Sequence, residues 1–422
     1  TGVLAGTVTM EATAAGLTTG TLGAFTVVHG AATQIALGGA VTDLTSGATR
    51  VLTATVQDAA GNTVTSDSTT VVAFAKAAGA GTVTGTGNAT ASSGVATKTI
   101  TGVLAGTVTM EATAAGLTTG TLGAFTVVHG AAAQIALSGA TTNLASGATR
   151  VLTATIQDAA GNTVSSDNTT VVAFAKAAGA GTVSGTGNDT AAAGVATKTI
   201  TGALAGSVTM EATAAGLTAG TLGAFTVVHG AATQIALNGA TTNLAAGATR
   251  VLTATIQDAA GNTVTSDSTT VVAFAKAAGA GTVSGTGNDT AVAGVATKTI
   301  TGALAGTVTM EATAAGLTTG TLGAFTVVHG AAAQIALSGA TTNLTSGATR
   351  VLTATVQDAA GNTVTSDNST VVAFAKASGA GTVSGTGNDT AAAGVATKTV
   401  TGVLAGSVTM EATAAGLTTG TL

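Results

Sequence analysis

The residues Asp58, Gly61 and Asn62 set a carboxylate, a glycine and a carboxamide close together, and the group returns as Asp158, Gly161 and Asn162, as Asp258, Gly261 and Asn262, and as Asp358, Gly361 and Asn362. Two chemistries suit it. Oxygen donors could hold calcium, but that ion takes roughly six to eight oxygens, and Asp58, Asn62 and Asp67 offer too few in a line. A short carboxylate at a strand end instead accepts bonds from backbone amides two residues on, while Gly and Asn tolerate positive φ. The group is expected to be a structural turn connecting two strands.

The other ionisable groups are few. One His closes each repeat, followed by Gly: His29 and Gly30, His129 and Gly130, His229 and Gly230, His329 and Gly330. A Ser/His/Asp arrangement would need partners that no motif supplies, and a lone His per repeat is a poor metal site. These pairs are expected at interdomain junctions. Lys98 alternates with Ala96 and Ile100, which points it inward, and Glu111 lies one hairpin away. Buried beside an Asn and an acid, such a lysine could form an intramolecular amide, because burial lowers the lysine pKa and raises that of the acid. The simpler expectation is an exposed cross-strand pair of Lys98 with Glu111, worth a few tenths of a kcal/mol. Hairpin register decides between the two and is open at this stage. Sequons open at Asn88, Asn168 and Asn188, and chance accounts for them in so Thr-rich a chain. No catalytic, cofactor or metal site is expected.

The elements that must hold these residues repeat as well. "TGVLAGTVTMEATAAGLTTGTL" opens the chain, and close copies begin at 101, 201, 301 and 401, a period of 100 residues without insertion or deletion. That length is one small domain, whereas solenoid units repeat at roughly 20 to 50 residues. The organisation reads as 1–30, the last strands of one domain; 31–130, 131–230 and 231–330, three whole domains; and 331–422, a domain lacking its last strand. The ragged ends read as a window on a longer chain in preference to strand donation between subunits.

Composition excludes several classes. The chain has no Cys, Pro, Trp or Tyr, 61 Gly, and 7% charged residues, where about 25% is usual. Cysteine usage therefore gives no redox compartment. A net charge of -5 without a basic block argues against nucleic acid and against polybasic membrane attachment. Thr, Ser or Gly interrupts every apolar run before it could span a bilayer as a helix.

Alternation of period two marks strands at 49–58, 68–76, 94–100, 106–114 and 123–130, with Leu52, Ala54 and Val56, Val72 and Phe74, and Phe125 and Val127 as inward sets. The Ala-rich pieces "MEATAAGL" and "KAAGAG" meet Gly too soon for helix, and Thr disfavours it. About seven strands per repeat, with turns every 8 to 12 residues or so, predict an all-β fold of tandem immunoglobulin-like sandwiches, strung as beads.

In that order, "TATVQDAAGNTV", "VVAFAKAAGAGTV", "GVATKTITGVLAGTVTMEATA" and "FTVVHG" resemble the bacterial immunoglobulin-like domains of the invasin and intimin type. The match covers every repeat, with one departure: Thr63, Thr163, Thr263 and Thr363 stand where that group often has Pro after Gly-Asn. The resemblance implies a spacer or display module of extracellular, cell-surface bacterial proteins, with no catalytic residue to carry over.

The outward positions add a functional expectation. A solitary stalk studs its strands with Lys and Glu, whereas here they are mostly Thr, Ser, Ala and Val. The expected partners are therefore other copies of the same chain, in a non-enzymatic filament, sheath or surface fibre. The alternative is the stalk of a large adhesin, meeting a host or neighbouring cell through regions outside this stretch. Domains adding on the order of 40 Å each suit either. An ice- or crystal-binding ladder through Thr53 and Thr55 ranks below both, because flat Thr arrays normally come from solenoids.

Overall fold

The computed structural model describes residues 1–422 and is built of strands, turns and loops without helix. The chain divides into two compact units. One comprises Thr1–Leu144, Thr149–Gly202 and Gly206–Val227; the other comprises Ala145–Ala148, Ala203–Ala205 and Val228–Leu422. Four separate hydrophobic cores, one in each repeat, lie within them.

The repeat 131–230 shows the plan. Gln134–Ser138, Thr149–Gln157, Val195–Gly202 and Val183–Ser184 lie side by side in that order as a four-stranded sheet. Leu144–Ala145, Gly220–Val228, Gly206–Thr213, Val171–Ala178 and Gly187–Thr190 make the facing sheet. The segments outnumber the seven expected strands because two strands change sheet part-way. Gln134–Ser138 gives way to Leu144–Ala145 across the sandwich, and Gly185 and Thr186 separate Val183–Ser184 from Gly187–Thr190. In the preceding repeat the switched segment lies parallel to the last strand, Leu44 opposite Val127.

The expected strands are present, shifted by up to three residues: Thr49–Gln57, Val71–Ala78, Val95–Gly102, Gly106–Thr113 and Phe125–Val128. Alternation puts Leu52, Ala54, Val56, Val72, Phe74, Met110, Phe125 and Val127 in one core, all at most 2% exposed. Removing that apolar surface from water is the main drive for these thin sandwiches. The stretch 1–30 forms a single hairpin, Gly6–Ala12 with Gly20–Val27. Its Met10 and Phe25 are 54% and 45% exposed, because no second sheet within 1–30 faces them. In 331–422, Arg350, Leu352, Met410 and Leu422 line an open groove of about 660 Å³.

Candidate functional site

The repeated turn is the densest polar site. After Thr149–Gln157 ends, Asp158 folds its carboxylate back over the turn: Oδ1 accepts from the backbone N–H of Ala160 at 2.9 Å and of Asn162 at 2.9 Å. Gly161, at φ +90°, supplies the left-handed position that reverses the chain. Asn162, however, does not adopt positive φ. Its role lies in its side chain.

That side chain and the second carboxylate oxygen face the preceding repeat. Asp158 Oδ2 accepts from the backbone N–H of Gly130, the linker residue, at 2.8 Å, and from Asn162 Nδ2 at 2.8 Å. Asn162 Nδ2 also donates to the Val103 carbonyl at 2.7 Å, and Asn162 Oδ1 accepts from the Ala105 N–H at 2.7 Å. Val103 and Ala105 belong to the loop between Val95–Gly102 and Gly106–Thr113 of the preceding repeat. One turn therefore holds the linker and the neighbouring repeat together. Asp158 is 2% and Asn162 7% exposed, and both Asn162 side-chain donors and one lone pair of its oxygen are used.

The arrangement recurs with each copy of the turn. Asp58 and Asn62 hold Gly30, Val3 and Ala5; Asp258 and Asn262 hold Gly230, Ala203 and Ala205; Asp358 and Asn362 hold Gly330, Ala303 and Ala305. Each set lies within one compact unit. The His-Gly pairs stand beside it. His129 Nδ1 lies 2.9 Å from the Gly130 carbonyl, which can only accept, so this nitrogen carries the proton. His29, His229 and His329 repeat that contact with Gly30, Gly230 and Gly330. A Cβ on Gly330 would come within 2.7 Å of the Ala246 carbonyl, so the linker glycine permits close passage.

The calcium reading fails on the same geometry: N–H groups point at both Asp158 oxygens, so a cation there would meet donors. Burial works against ionisation of Asp158, but the bonds from Gly130, Asn162 and Ala160 outweigh it and hold the carboxyl at about 2. At Asp58 the Asn62 side chain is the leading cause, and the value is again about 2. Because the folded pKa lies below the unfolded one, the contribution is complete above the ordinary carboxylate range and is lost as pH falls through it. The melting temperature is expected to be flat from pH 7 to about 4.5 and to drop between about 4 and 2. A melting series in pH checks this, and a flat profile down to about pH 2.5 would contradict the assignment.

The Lys98–Glu111 pair needs correction. Lys98 lies on Val95–Gly102, which pairs with Thr49–Gln57, whereas Glu111 lies on Gly106–Thr113, opposite Ala75 and Thr121 in the other sheet. The loop between them crosses the sandwich and is not a hairpin turn. Lys98 shares the inward parity of Ala96 and Ile100, yet its Nζ leaves at the sandwich edge and donates to the Asn88 backbone carbonyl at 3.1 Å. The bond goes to the main chain and not to a carboxamide, so the geometry of an amide crosslink is not formed. Asn168 Oδ1 accepts from the Ala193 N–H, which ties one sequon into a turn.

Sequence reasoning missed Arg150. It shares parity with Leu152 and lies under the last strand, its guanidinium carbon 4.5 Å from the Phe225 ring centroid. Nη2 donates to the Thr142 carbonyl at 2.6 Å, while buried Nη1 has no hydrogen-bond partner. The ring's π-face offsets that unpaired donor. Its alternation with Leu152, Ala154 and Ile156 was the available signal.

No family model and no curated protein matches the sequence. Among solved structures, the chain is similar to FdeC, an Escherichia coli adhesin, at 21% identity over 72% of this chain and 100% of that one, TM-score 0.30. It is similar to invasin, a bacterial integrin-binding protein, at 16% identity over 91% of this chain and 78% of that one, TM-score 0.32. The D00-D0 domain of intimin follows at 18% identity, 46% of this chain and 99% of that one, TM-score 0.29. Invasin and intimin are the proteins whose domains the sequence motifs resemble. The sandwich itself rests on the strand order given above.

Proposed function

We propose that this chain is a non-enzymatic structural stretch of an extracellular bacterial surface fibre, in which copies of the chain associate with one another. The observation that carries the reading is the Asp–Asn latch, present at each of the four junctions with the same atoms. A domain that only needed to fold would need the turn bonds alone. The bonds to the linker and to the preceding repeat serve the joint. Several other ionisable groups are also engaged in structure: Asp167 caps its own turn through the Thr169 and Thr170 N–H groups, and Lys198 and Arg150 donate to main-chain carbonyls.

The same latches suit an adhesin stalk, so the decisive measurement is negative-stain electron microscopy of the material as isolated, before and after mild dissociation. Filaments several chains thick, with an axial repeat near one domain length, are the expected result. Single beaded threads ending in a knob would overturn the fibre and leave the stalk.

A further inference from the structure

The two faces of each sandwich differ in charge. On the four-stranded sheet of 31–130, Thr53 lies opposite Thr97, Val51 opposite Thr99 and Thr49 opposite Thr101, with Thr55 opposite Val95. None is ionisable, and Val51 is 55% exposed. The positions 100 residues on keep the same types, and Val151, Val251 and Val351 are 56%, 57% and 56% exposed. The ionisable residues of these strands leave the face: Arg50 lies inward over Phe125 and Lys98 ends at the Asn88 carbonyl. The other sheet carries Glu111, Glu211, Glu311 and Glu411 among its outward residues, since each alternates with a buried Met and Ala.

We propose that copies of this chain meet through the outer Thr/Val face of the four-stranded sheet, an inference that rests on the self-association read above. The opposite sheet carries one glutamate and one lysine in each repeat, Glu111 and Lys76 in the first, and contact through it would take these charges out of water, which is costly unless each meets an opposite partner. The outward residues of the four-stranded sheet carry no charge; the nearest carboxylates, Asp189, Asp289 and Asp389, are held at its edge by the Thr197, Thr297 and Thr397 N–H groups. Its threonine hydroxyls both donate and accept, so they can pair with an identical surface. Strands about 4.8 Å apart rising about 3.3 Å per residue make this face roughly 15 by 25 Å. Two repeats therefore supply about the 800 Å² per partner that a specific interface buries.

Two sets of substitutions in the whole chain test the assignment. One is Thr97→Lys, Thr197→Lys, Thr297→Lys and Thr397→Lys on the neutral face. The other is Thr107→Lys, Ser207→Lys, Thr307→Lys and Ser407→Lys on the opposite face, all eight sites being exposed. Circular dichroism confirms that each set folds, and sedimentation velocity over a concentration series reads association. The first set is expected to weaken association at least tenfold, and the second to leave it within about twofold. Equal loss in both sets, or loss only in the second, would overturn the face assignment while self-association stood. An unmodified chain that stays monomeric at every concentration would overturn the self-association reading itself, and this inference with it.

Discussion

Asp158→Asn is expected to lower the stability of its repeat by about 3 kcal/mol, more than an isosteric change at an ordinary turn would cost. The carboxylate accepts four N–H groups, two on each oxygen. A carboxamide presents its own N–H₂ to one of those pairs, so two bonds are lost and two buried donors face two more. The rotamer that keeps the local bonds to Ala160 and Asn162 places the N–H₂ against Gly130 and the Asn162 side chain. Asn162 cannot turn over to offer its oxygen, because Oδ1 already accepts from Ala105. The turn therefore survives in part while the joint opens. Scanning calorimetry on the whole chain reads this as one repeat melting on the order of 15 °C below the others. A shift under about 3 °C would show that the carboxylate is dispensable and would remove the basis for the latch.

Much of the sandwich is legible in the string because burial on one face imposes a period of two. Leu52, Ala54 and Val56 announce their strand and its inner side. The turn is legible too, since Asp followed by Gly-Asn has a local geometry. What the turn holds is not local: Asn162 reaches residues 57 and 59 positions earlier, and alternation carries no information at that distance. The strand pairing of Lys98 failed for a related reason. Two neighbouring strands joined by a short loop can form a hairpin or cross to the facing sheet, and "TGVLAG" supports either reading. The buried Gly102 decides for crossing, because a Cβ there would press on the Thr45 carbonyl, Leu44 and Val127. Arg150 differs from both, since its inward parity stood in the sequence and only its charge argued against reading it.

Gly79→Ala is expected to cost at least about 3 kcal/mol and to undo a latch that it does not touch. Gly79 has φ +103°, where a side chain is strained, and a methyl group there would be driven into the Thr107 carbonyl. Its neighbours hold the same loop from behind: Gly81 donates to the Thr107 carbonyl at 3.0 Å, Thr82 to the Leu104 carbonyl at 3.0 Å, and Val103 to the Thr82 carbonyl at 2.9 Å. The loop 103–107 thus lies between the glycine segment of its own repeat and Asn162 of the next. Pushing it outward destabilises the sandwich core beside Val108, and it also displaces the Val103 carbonyl and Ala105 N–H that Asn162 binds. Hydrogen exchange at the Ala105 amide separates the two effects. In Gly79→Ala this amide is expected to exchange at least tenfold faster, whereas in Asp158→Asn it loses protection without the amides of Val95–Gly102 following. If Gly79→Ala left Ala105 protected, the glycines would serve only their own repeat, and the coupling of loop to latch would fail.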